Sequence, residues 1–294
     1  MWKKILVPLD GSELAELALP YAEELAAAFG SEVVLLYASE PAESHYRHMH
    51  QLYMEKVAGQ VRNRVKKVSP VVLPGKAAEE IIGYAEKNDV SIIIITSHGR
   101  SGILSWAAGS VASKVLHATR VPLLLIRATT PLRKVLQQRL LARILLPLDG
   151  SAAGEAAVPY VGELMSRLES EVILFGVVAG GQHIRTVGGL DFILYPEEEL
   201  AVLKTEAGEY LNRVYRRLKR RKGKVRVELK VGDKAGDIAR EIIKFAEENK
   251  VSLIAISSHG RSGIARWVFG SIASRVVQAS KTPVLIVKAS GETA

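Results

Sequence analysis

The chain repeats itself, and this repetition constrains its fold more than any other feature. The segment ILVPLDGS begins at Ile5 and returns as ILLPLDGS at Ile144, at a sequence offset of 139 (144 minus 5). The segment SHGRSGI begins at Ser97 and returns at Ser258, at an offset of 161 (258 minus 97). The second copy is therefore longer by 22 (161 minus 139), and we place this insertion around residues 180–200 and in the helix after Gly232. Such a repeat predicts two domains of one fold, joined head to tail.

Short apolar runs alternate with longer segments of helical periodicity in both copies. The predicted strands are residues 4–9, 32–38, 67–73, 91–96 and 122–127, then 143–148, 171–178, 225–231, 252–257 and 283–288. Residues 14–29 and 152–168 are the first predicted helix of each copy. The alternation predicts an α/β fold: two tandem Rossmann-like domains, each an open five-stranded parallel sheet with helices on both faces. We expect domains at 1–130 and 143–294, joined by a glycine-free helical linker at 131–142 that holds the copies in one arrangement.

Composition narrows the function classes. The chain has no cysteine, which excludes disulfides, thiolate metal sites and cysteine nucleophiles. No run of 18 apolar residues occurs, and the apolar run after Lys4 is too short for the core of a signal peptide. We therefore expect a cytoplasmic protein without a membrane segment. The formal net charge of +9 favours polyanionic partners in general.

An aspartate follows the first strand of each copy. Asp10 and Asp149 are each followed by Gly-Ser at the start of a helix. In an open parallel sheet, ligands bind at the carboxyl ends of the strands, so these carboxylates are candidates to contact a sugar or base. The alternative is a capping role alone, in which the side chains satisfy amides at the helix start.

A glycine-rich segment follows the fourth strand of each copy. Gly99 precedes Gly109-Ser110 by ten positions, and Gly260 precedes Gly270-Ser271 by the same interval. Glycines let a backbone approach an anion closely, and the free amides at a helix N-terminus donate hydrogen bonds to it. The repeated spacing therefore predicts a phosphate site.

These motifs together resemble the universal stress protein family, and the resemblance covers nearly the whole chain twice. Members of its nucleotide-binding branch hold ATP with a Gly-x-x-Gly, nine residues, Gly-Ser pattern. Carried over, the first site consists of Pro8, Asp10, Ala38, Ile95, Thr96, Gly99, Gly109, Ser110 and Val111. The second consists of Pro147, Asp149, Val177, Ile256, Ser257, Gly260, Gly270, Ser271 and Ile272.

This chain departs from the family pattern at two places. Thr96 and Ser257 stand where the pattern has its first glycine, and a hydroxyl there is able to face a phosphate. Ala38 stands where a larger aliphatic residue is expected, as Val177 is in the second copy.

The resemblance implies a ligand-sensing stress-response module. It would bind ATP, or AMP or ADP, in one or both domains, with Mg²⁺ on the phosphates. It also implies an intrachain pseudo-dimer whose last strands, 122–127 and 283–288, are the pairing edges, and two chains could pair further.

Slow nucleotide hydrolysis is an alternative, but the sequence lacks a P-loop lysine motif and we assign no catalytic residue. His98 and His259 have no carboxylate near in sequence to orient them, and Arg100 and Arg261 are as consistent with solvated charges as with phosphate contacts.

Two further groups of residues, one of histidines and one of basic side chains, bear on function. His45, His48 and His50 lie close enough for a metal, but the second copy has no equivalent set. The third alternative is a basic protein associated with nucleic acid, raised by the basic run from Arg213 to Arg226. Aromatic residues are sparse there, and Leu211, Val214 and Leu218 predict an apolar face, so a solvated helix end is the preferred interpretation.

Overall fold

The computed structural model describes residues 1–39, 46–97, 109–127, 139–186, 189–232, 237–260 and 270–289. The chain divides into two compact units. The first consists of Met1–Leu140 with Pro283–Lys288, and the second is built on Leu141–Thr282. The predicted linker at 131–142 lies mostly outside the described residues, and the first strand of the second unit begins at Arg143.

The first unit is a parallel sheet with one added strand. Its strands are β1 (Lys4–Leu9), β2 (Glu32–Ser39), β3 (Lys67–Pro74), β4 (Ile92–Thr96), β5 (Leu123–Ile126) and β12 (Val284–Val287). Its helices are α1 (Glu13–Glu16), α2 (Leu19–Phe29), α3 (Arg47–Arg62), α4 (Ala77–Lys87) and α5 (Ser110–Ala118). The strand order is β12-β5-β4-β1-β2-β3. The first five strands are parallel, whereas β12 pairs antiparallel with β5.

The second unit repeats this plan. Its strands are β6 (Arg143–Pro147), β7 (Glu171–Ala179), β10 (Lys224–Gly232) and β11 (Leu253–Ser257), in the parallel order β10-β7-β6-β11. A hairpin adds β8 (Gly181–Thr186) and β9 (Gly189–Leu194). The helices are α6 (Val158–Leu168), α7 (Glu197–Leu218), α8 (Ile238–Glu248) and α9 (Ser271–Ala279). The predicted α/β class with mostly parallel strands is confirmed.

Central strands are buried along their whole length. Every residue of Ile92–Thr96 and of Leu253–Ser257 is buried, as expected where helices cover both faces of a parallel sheet. Neighbouring residues of β7 show the two faces directly. The ring of Phe175 packs on Phe245 of α8, and the next residue, Gly176, faces Leu211 of α7.

The first predicted helix of each copy is interrupted in the structure. The predicted helix at 14–29 divides into α1 and α2, and that at 152–168 divides into a 3₁₀ turn at Ala153–Ala157 and α6. Pro20 and Pro159 lie in the first turn of α2 and of α6. Proline lacks the amide that would continue a preceding helix, so a new helix begins there.

The extra residues of the second copy lie only partly where we predicted them. The offset between the copies is 139 at the start of the second strand (Glu32 to Glu171) and 157 at the start of the third (Lys67 to Lys224). The second copy is thus longer by 18 (157 minus 139) between β7 and β10, where it builds the hairpin β8–β9. This stretch also lengthens α7 to 22 residues, against 16 in α3. The rest of the insertion precedes α8, because α4 and α8 both have 11 residues, so the expectation of a longer helix after Gly232 is wrong.

Candidate functional site

The aspartate after the first strand is held by a serine in both copies. Asp149 Oδ1 accepts hydrogen bonds from the amide of Ser151 at 3.0 Å and from its hydroxyl at 2.7 Å. The Ser151 hydroxyl oxygen accepts in turn from the amide of Gly154 at 2.9 Å. In the first copy, Asp10 and Ser12 repeat the arrangement at 3.0 and 2.6 Å. The serine therefore caps the turn that follows the first strand in both copies. Its hydrogen bonds also fix the direction of each aspartate carboxylate.

The glycines of the second copy lie close to that carboxylate. A Cβ atom built on Gly260 would overlap Oδ2 of Asp149, so the backbone and the carboxylate meet without a side chain between them. Gly270 donates its amide to the carbonyl of Ser258 at 2.9 Å and precedes α9, which begins at Ser271. The first amides of a helix have no partner within the helix and favour an anion. A carboxylate and the amino-terminal end of a helix are therefore combined in one place.

A cavity of about 610 Å³ lies at the carboxyl ends of the strands of the second unit. All nine residues that the resemblance assigns to the second site line it. They are Pro147, Asp149, Val177, Ile256, Ser257, Gly260, Gly270, Ser271 and Ile272. The volume lies within the usual range for small-molecule sites, roughly 300–1,000 Å³.

Eight of the nine first-copy residues lie at equivalent places, and Gly99 lies outside the described residues. Pro8 lies near the end of β1 and Asp10 follows it, Ala38 lies near the end of β2, and Ile95 and Thr96 end β4. Gly109, Ser110 and Val111 form the start of α5, where Gly109 donates its amide to the Ser97 carbonyl at 2.6 Å.

Aromatic rings fill the space beside the first site. The buried ring of Tyr37 stacks on His50 with centroids 4.3 Å apart, and Tyr53 meets Tyr37 edge-on at 6.4 Å. The corresponding residues of the second copy are Gly176, Ala207 and Tyr210. Only the third ring is retained there.

The hydroxyl at the position of the missing motif glycine is used within the fold. Ser257 Oγ donates to the carbonyl oxygen of Ala153 at 2.6 Å. That this hydroxyl faces a phosphate stays a prediction. In the structure it joins the end of β11 to the turn that follows Asp149.

A tyrosine and a glutamate meet beside each site. Tyr53 donates its hydroxyl to Glu16 at 2.9 Å. Burial first, and then the nearby Glu16 carboxylate, raise the pKa of Tyr53 well above its usual value. Burial and Glu155 raise the pKa of Tyr210 in the same way, and Glu155 also pairs with Arg217. The raised pKa values keep both phenols protonated further into the alkaline range, and Tyr53 uses its proton in the hydrogen bond to Glu16.

Sequence reasoning missed the part of the cavity wall formed by β7, the hairpin, α7 and α8. The missed residues are Phe175, Gly176, Tyr195, Leu203, Glu206, Ala207, Tyr210, Leu211, Arg213, Ile238 and Ile242. A signal was available in the repeat, because Tyr210 follows Tyr53 at the same offset of 157 that relates Lys224 to Lys67.

The remaining candidates are the histidine and the arginine that follow the fourth strand of each copy. His98, Arg100 and Arg261 lie outside the described residues. His259 lines the cavity, with its Nδ1 2.8 Å from the hydroxyl of Ser258. The absence of a catalytic residue stays a prediction.

The histidines considered for metal binding, His45, His48 and His50, do not share one environment among the described residues. His45 is not among the described residues, His48 is exposed, and His50 packs its ring on Tyr37. In the part of the chain that the structure describes, no cluster of three metal-ligating side chains occurs.

The basic run covers the end of α7, a turn and β10. Leu211, Val214 and Leu218 are buried, which confirms the predicted apolar face. Arg217 pairs with Glu155 and Arg226 with Glu171, while Arg216 and Arg220 are exposed. Among the helices of the described ranges, none is long and apolar enough to span a bilayer.

These observations define a tandem Rossmann-like α/β protein whose second copy has a ligand-sized cavity at its strand ends. The sequence model of the universal stress protein family matches residues 1–127 and again residues 141–288. The chain therefore belongs to the universal stress protein family.

Similar proteins agree with this assignment. Universal stress protein MJ0577 of Methanocaldococcus jannaschii is 28% identical over 155 residues, 43% of this chain and 96% of that protein. Universal stress protein YxiE of Bacillus subtilis is 29% identical over 147 residues, 50% of this chain and 98% of its own. The crystal structure of a universal stress protein from Archaeoglobus fulgidus covers 99% of this chain and all of its own, with a TM-score of 0.66 and 21% identity. That structural likeness shows the fold.

Proposed function

We propose that the second copy binds an adenine nucleotide, ATP, ADP or AMP, and that the chain is a ligand-sensing stress-response module. The observation that carries this proposal is the meeting of Asp149, Gly260 and the start of α9 in one cavity. A ribose or base would receive hydrogen bonds at the carboxylate, and the phosphates would lie on the amides after Gly270. Where ATP binds, Mg²⁺ would accompany its phosphates.

The apolar walls of the cavity suit the base. Val177, Ile256 and Ile272 line it together with Phe175, so a flat ring would leave water on binding. Polar groups at the strand ends, among them Asp149 and Ser258, would fix the orientation of the ligand.

The first copy is proposed as the weaker site. Its aspartate and helix start match those of the second copy. The stacked Tyr37 and His50 rings occupy space beside it, so we expect one nucleotide per chain to dominate.

Binding is tested by denaturing the purified chain, counting any released nucleotide by chromatography, and titrating the ligand-free chain with ATP in a calorimeter with and without Mg²⁺. The test variant is Gly270→Val. A Cβ there would lie 3.4 Å from the Ser258 carbonyl oxygen, an ordinary contact that leaves the fold intact. The valine methyls would stand over the helix start, and we expect ATP affinity to fall at least about tenfold, or roughly 1.4 kcal/mol.

The matched control is Gly109→Val, the same change at the same motif position of the first copy. We expect it to leave most of the affinity. No bound nucleotide and no heat with ATP would refute the proposal, as would unchanged affinity in the Gly270→Val chain. Phosphate release measured in the same samples decides whether hydrolysis accompanies binding.

A further inference from the structure

The cavity of the second copy reaches both faces of the sheet. Phe175 and Gly176 follow each other on β7 and point to opposite faces, and both line the cavity. On one side, the α9 compartment is bounded by Ile238, Ile242, Gly270, Ser271 and Ile272. On the other, the α7 compartment is bounded by Tyr195, Leu203, Ala207, Tyr210 and Leu211. A single nucleotide, with its phosphates on α9, does not account for both.

The first copy shows what the α7 compartment can hold. At the equivalent place, the rings of Tyr37 and His50 stack at 28° with centroids 4.3 Å apart. Gly176 and Ala207 replace these two residues in the second copy. Tyr210 stays as a wall, as Tyr53 does beside Tyr37. The fold therefore accommodates flat rings here. In the second copy, Leu211 and Leu229 pack against Gly176, and the cavity extends beside them along Ala207 and Tyr210.

The entrance of the α7 compartment carries polar groups. Glu206 and Arg213 are exposed and line the cavity, and the Arg213 guanidinium lies 5.6 Å from the ring centroid of Tyr210. A guanidinium binds phosphate oxygens, and a carboxylate accepts hydrogen bonds from ribose hydroxyls. Lys56 and Met49 stand at the equivalent positions of the first copy, so this pair is particular to the second.

We propose that the second copy binds a dinucleoside polyphosphate, in which a phosphate chain carries an adenosine group at each end. One base lies in each compartment, and the phosphate chain passes the strand ends between the start of α9 and Arg213. This inference rests on the proposed nucleotide site and extends it to a second ring.

The test compares two ligands that differ by one nucleoside. Diadenosine tetraphosphate and adenosine tetraphosphate are titrated into the full chain at one fixed salt concentration. A stacked base contributes enough that we expect diadenosine tetraphosphate to bind at least about tenfold more tightly. Equal affinities of the two ligands would overturn the proposal.

Ala207→Phe places a ring in the α7 compartment from a half-buried position on α7. We expect this variant to lose the advantage of diadenosine tetraphosphate and to keep adenosine tetraphosphate within about twofold. The control is Ala201→Phe, the same change at an exposed position of the same helix, which should preserve the advantage. Retention of binding to adenosine tetraphosphate shows that the variant is folded. If it is lost, Leu203→Trp, also half-buried in the compartment wall, replaces Ala207→Phe.

The outcomes separate the two proposals. If neither ligand nor ATP binds, both the nucleotide site and this inference fail. If ATP binds and the second adenosine adds nothing, or if its advantage survives a filled α7 compartment, only the inference fails.

Discussion

The two copies share a backbone plan and differ in what lies between their second strand and the following long helix. In the first copy, Tyr37 and His50 pack as a stacked pair. In the second, Gly176 and Ala207 carry no rings, and both residues line a cavity. The aspartate, the serine that holds it and the glycine before the last helix are the same in both. The comparison teaches that the two copies keep the same turns at the strand ends, while the residues packed beside these turns differ.

Removing the Tyr37 ring tests this comparison, and we expect it to have the largest effect on stability. Tyr37 is 2% exposed, so Tyr37→Ala leaves a cavity in the core of the first unit. We expect the free energy of unfolding of that unit to fall by about 3–5 kcal/mol, measured by urea unfolding followed by circular dichroism. Because two units need not unfold together, the transition of the first unit is fitted separately.

Tyr46→Ala is the control for this loss. Tyr46 is 53% exposed, so removing its ring should change stability by less than about 0.5 kcal/mol. A comparable loss in both variants would mean that the stacked Tyr37 and His50 rings do not stabilise the first unit. The replacement of Tyr37 by Gly176 in the second copy would then not explain a difference in stability between the copies.

Some of the features that the two copies share or differ in can be predicted from the sequence, and others cannot. The strands, Asp149 and Gly270 follow from local patterns that recur in both copies. The contact of Tyr53 with Glu16 joins residues 37 positions apart, and that of Ser257 with Ala153 spans 104. No periodicity in a single segment encodes such pairs, because they arise only when strands and helices pack.

The change of sequence offset between the two copies hid the residues of α7 that correspond to those of α3. The helix α7 follows an insertion, so its residues align with α3 only at an offset of 157 rather than 139. Gly176 corresponds to Tyr37 at the offset of 139 (176 minus 37), and Ala207 corresponds to His50 only at the offset of 157 (207 minus 50). That a cavity results still depends on how Leu211 and Leu229 pack: a Cβ on Gly176 would lie 2.9 Å from a methyl carbon of each.

Removing the tyrosine hydroxyls should have a smaller, unequal effect. Tyr53→Phe breaks the hydrogen bond to Glu16, and we expect a loss of about 1 kcal/mol at neutral pH. Tyr210→Phe should cost less than half as much, because Glu155 keeps its ion pair with Arg217. Both values come from urea unfolding of the full chain.

The effect of Tyr53→Phe on the free energy of unfolding should also depend on pH. The pKa of Tyr53 in the folded chain is raised above the unfolded value of 10.0, first by burial and then by Glu16. The hydroxyl's stabilisation is therefore complete below the unfolded pKa and is lost as pH rises through the folded one. Tyr53→Phe should show a shallower loss of stability above pH 10, roughly, than the parent chain. An identical alkaline slope in the two would contradict the assignment.

The smallest effect is expected at the glutamates that begin β7 and β2, because different residues surround them in the two copies. Glu171 receives Arg143 Nε at 2.7 Å and Arg226 Nε at 3.0 Å. Its first-copy equivalent, Glu32, receives the hydroxyl of Ser69 at 2.9 Å and lies 3.9 Å from Lys4 Nζ. Although partial burial acts to raise it, the hydrogen bonds from the two arginines lower the pKa of Glu171.

A carboxylate with a lowered pKa stabilises the fold above its unfolded pKa, and this contribution is lost as pH falls through the folded value. We therefore expect Glu171→Gln to cost less than about 1 kcal/mol at neutral pH, since the pairs are partly exposed, and to flatten the acid side of the stability profile. Glu32→Gln should cost less than Glu171→Gln. If urea unfolding between neutral and acidic pH gave Glu32→Gln the larger loss, the arginine pair would not be what distinguishes the second copy at the start of these strands. High salt should reduce the Glu171→Gln effect, because the arginine side chains are within reach of solvent ions.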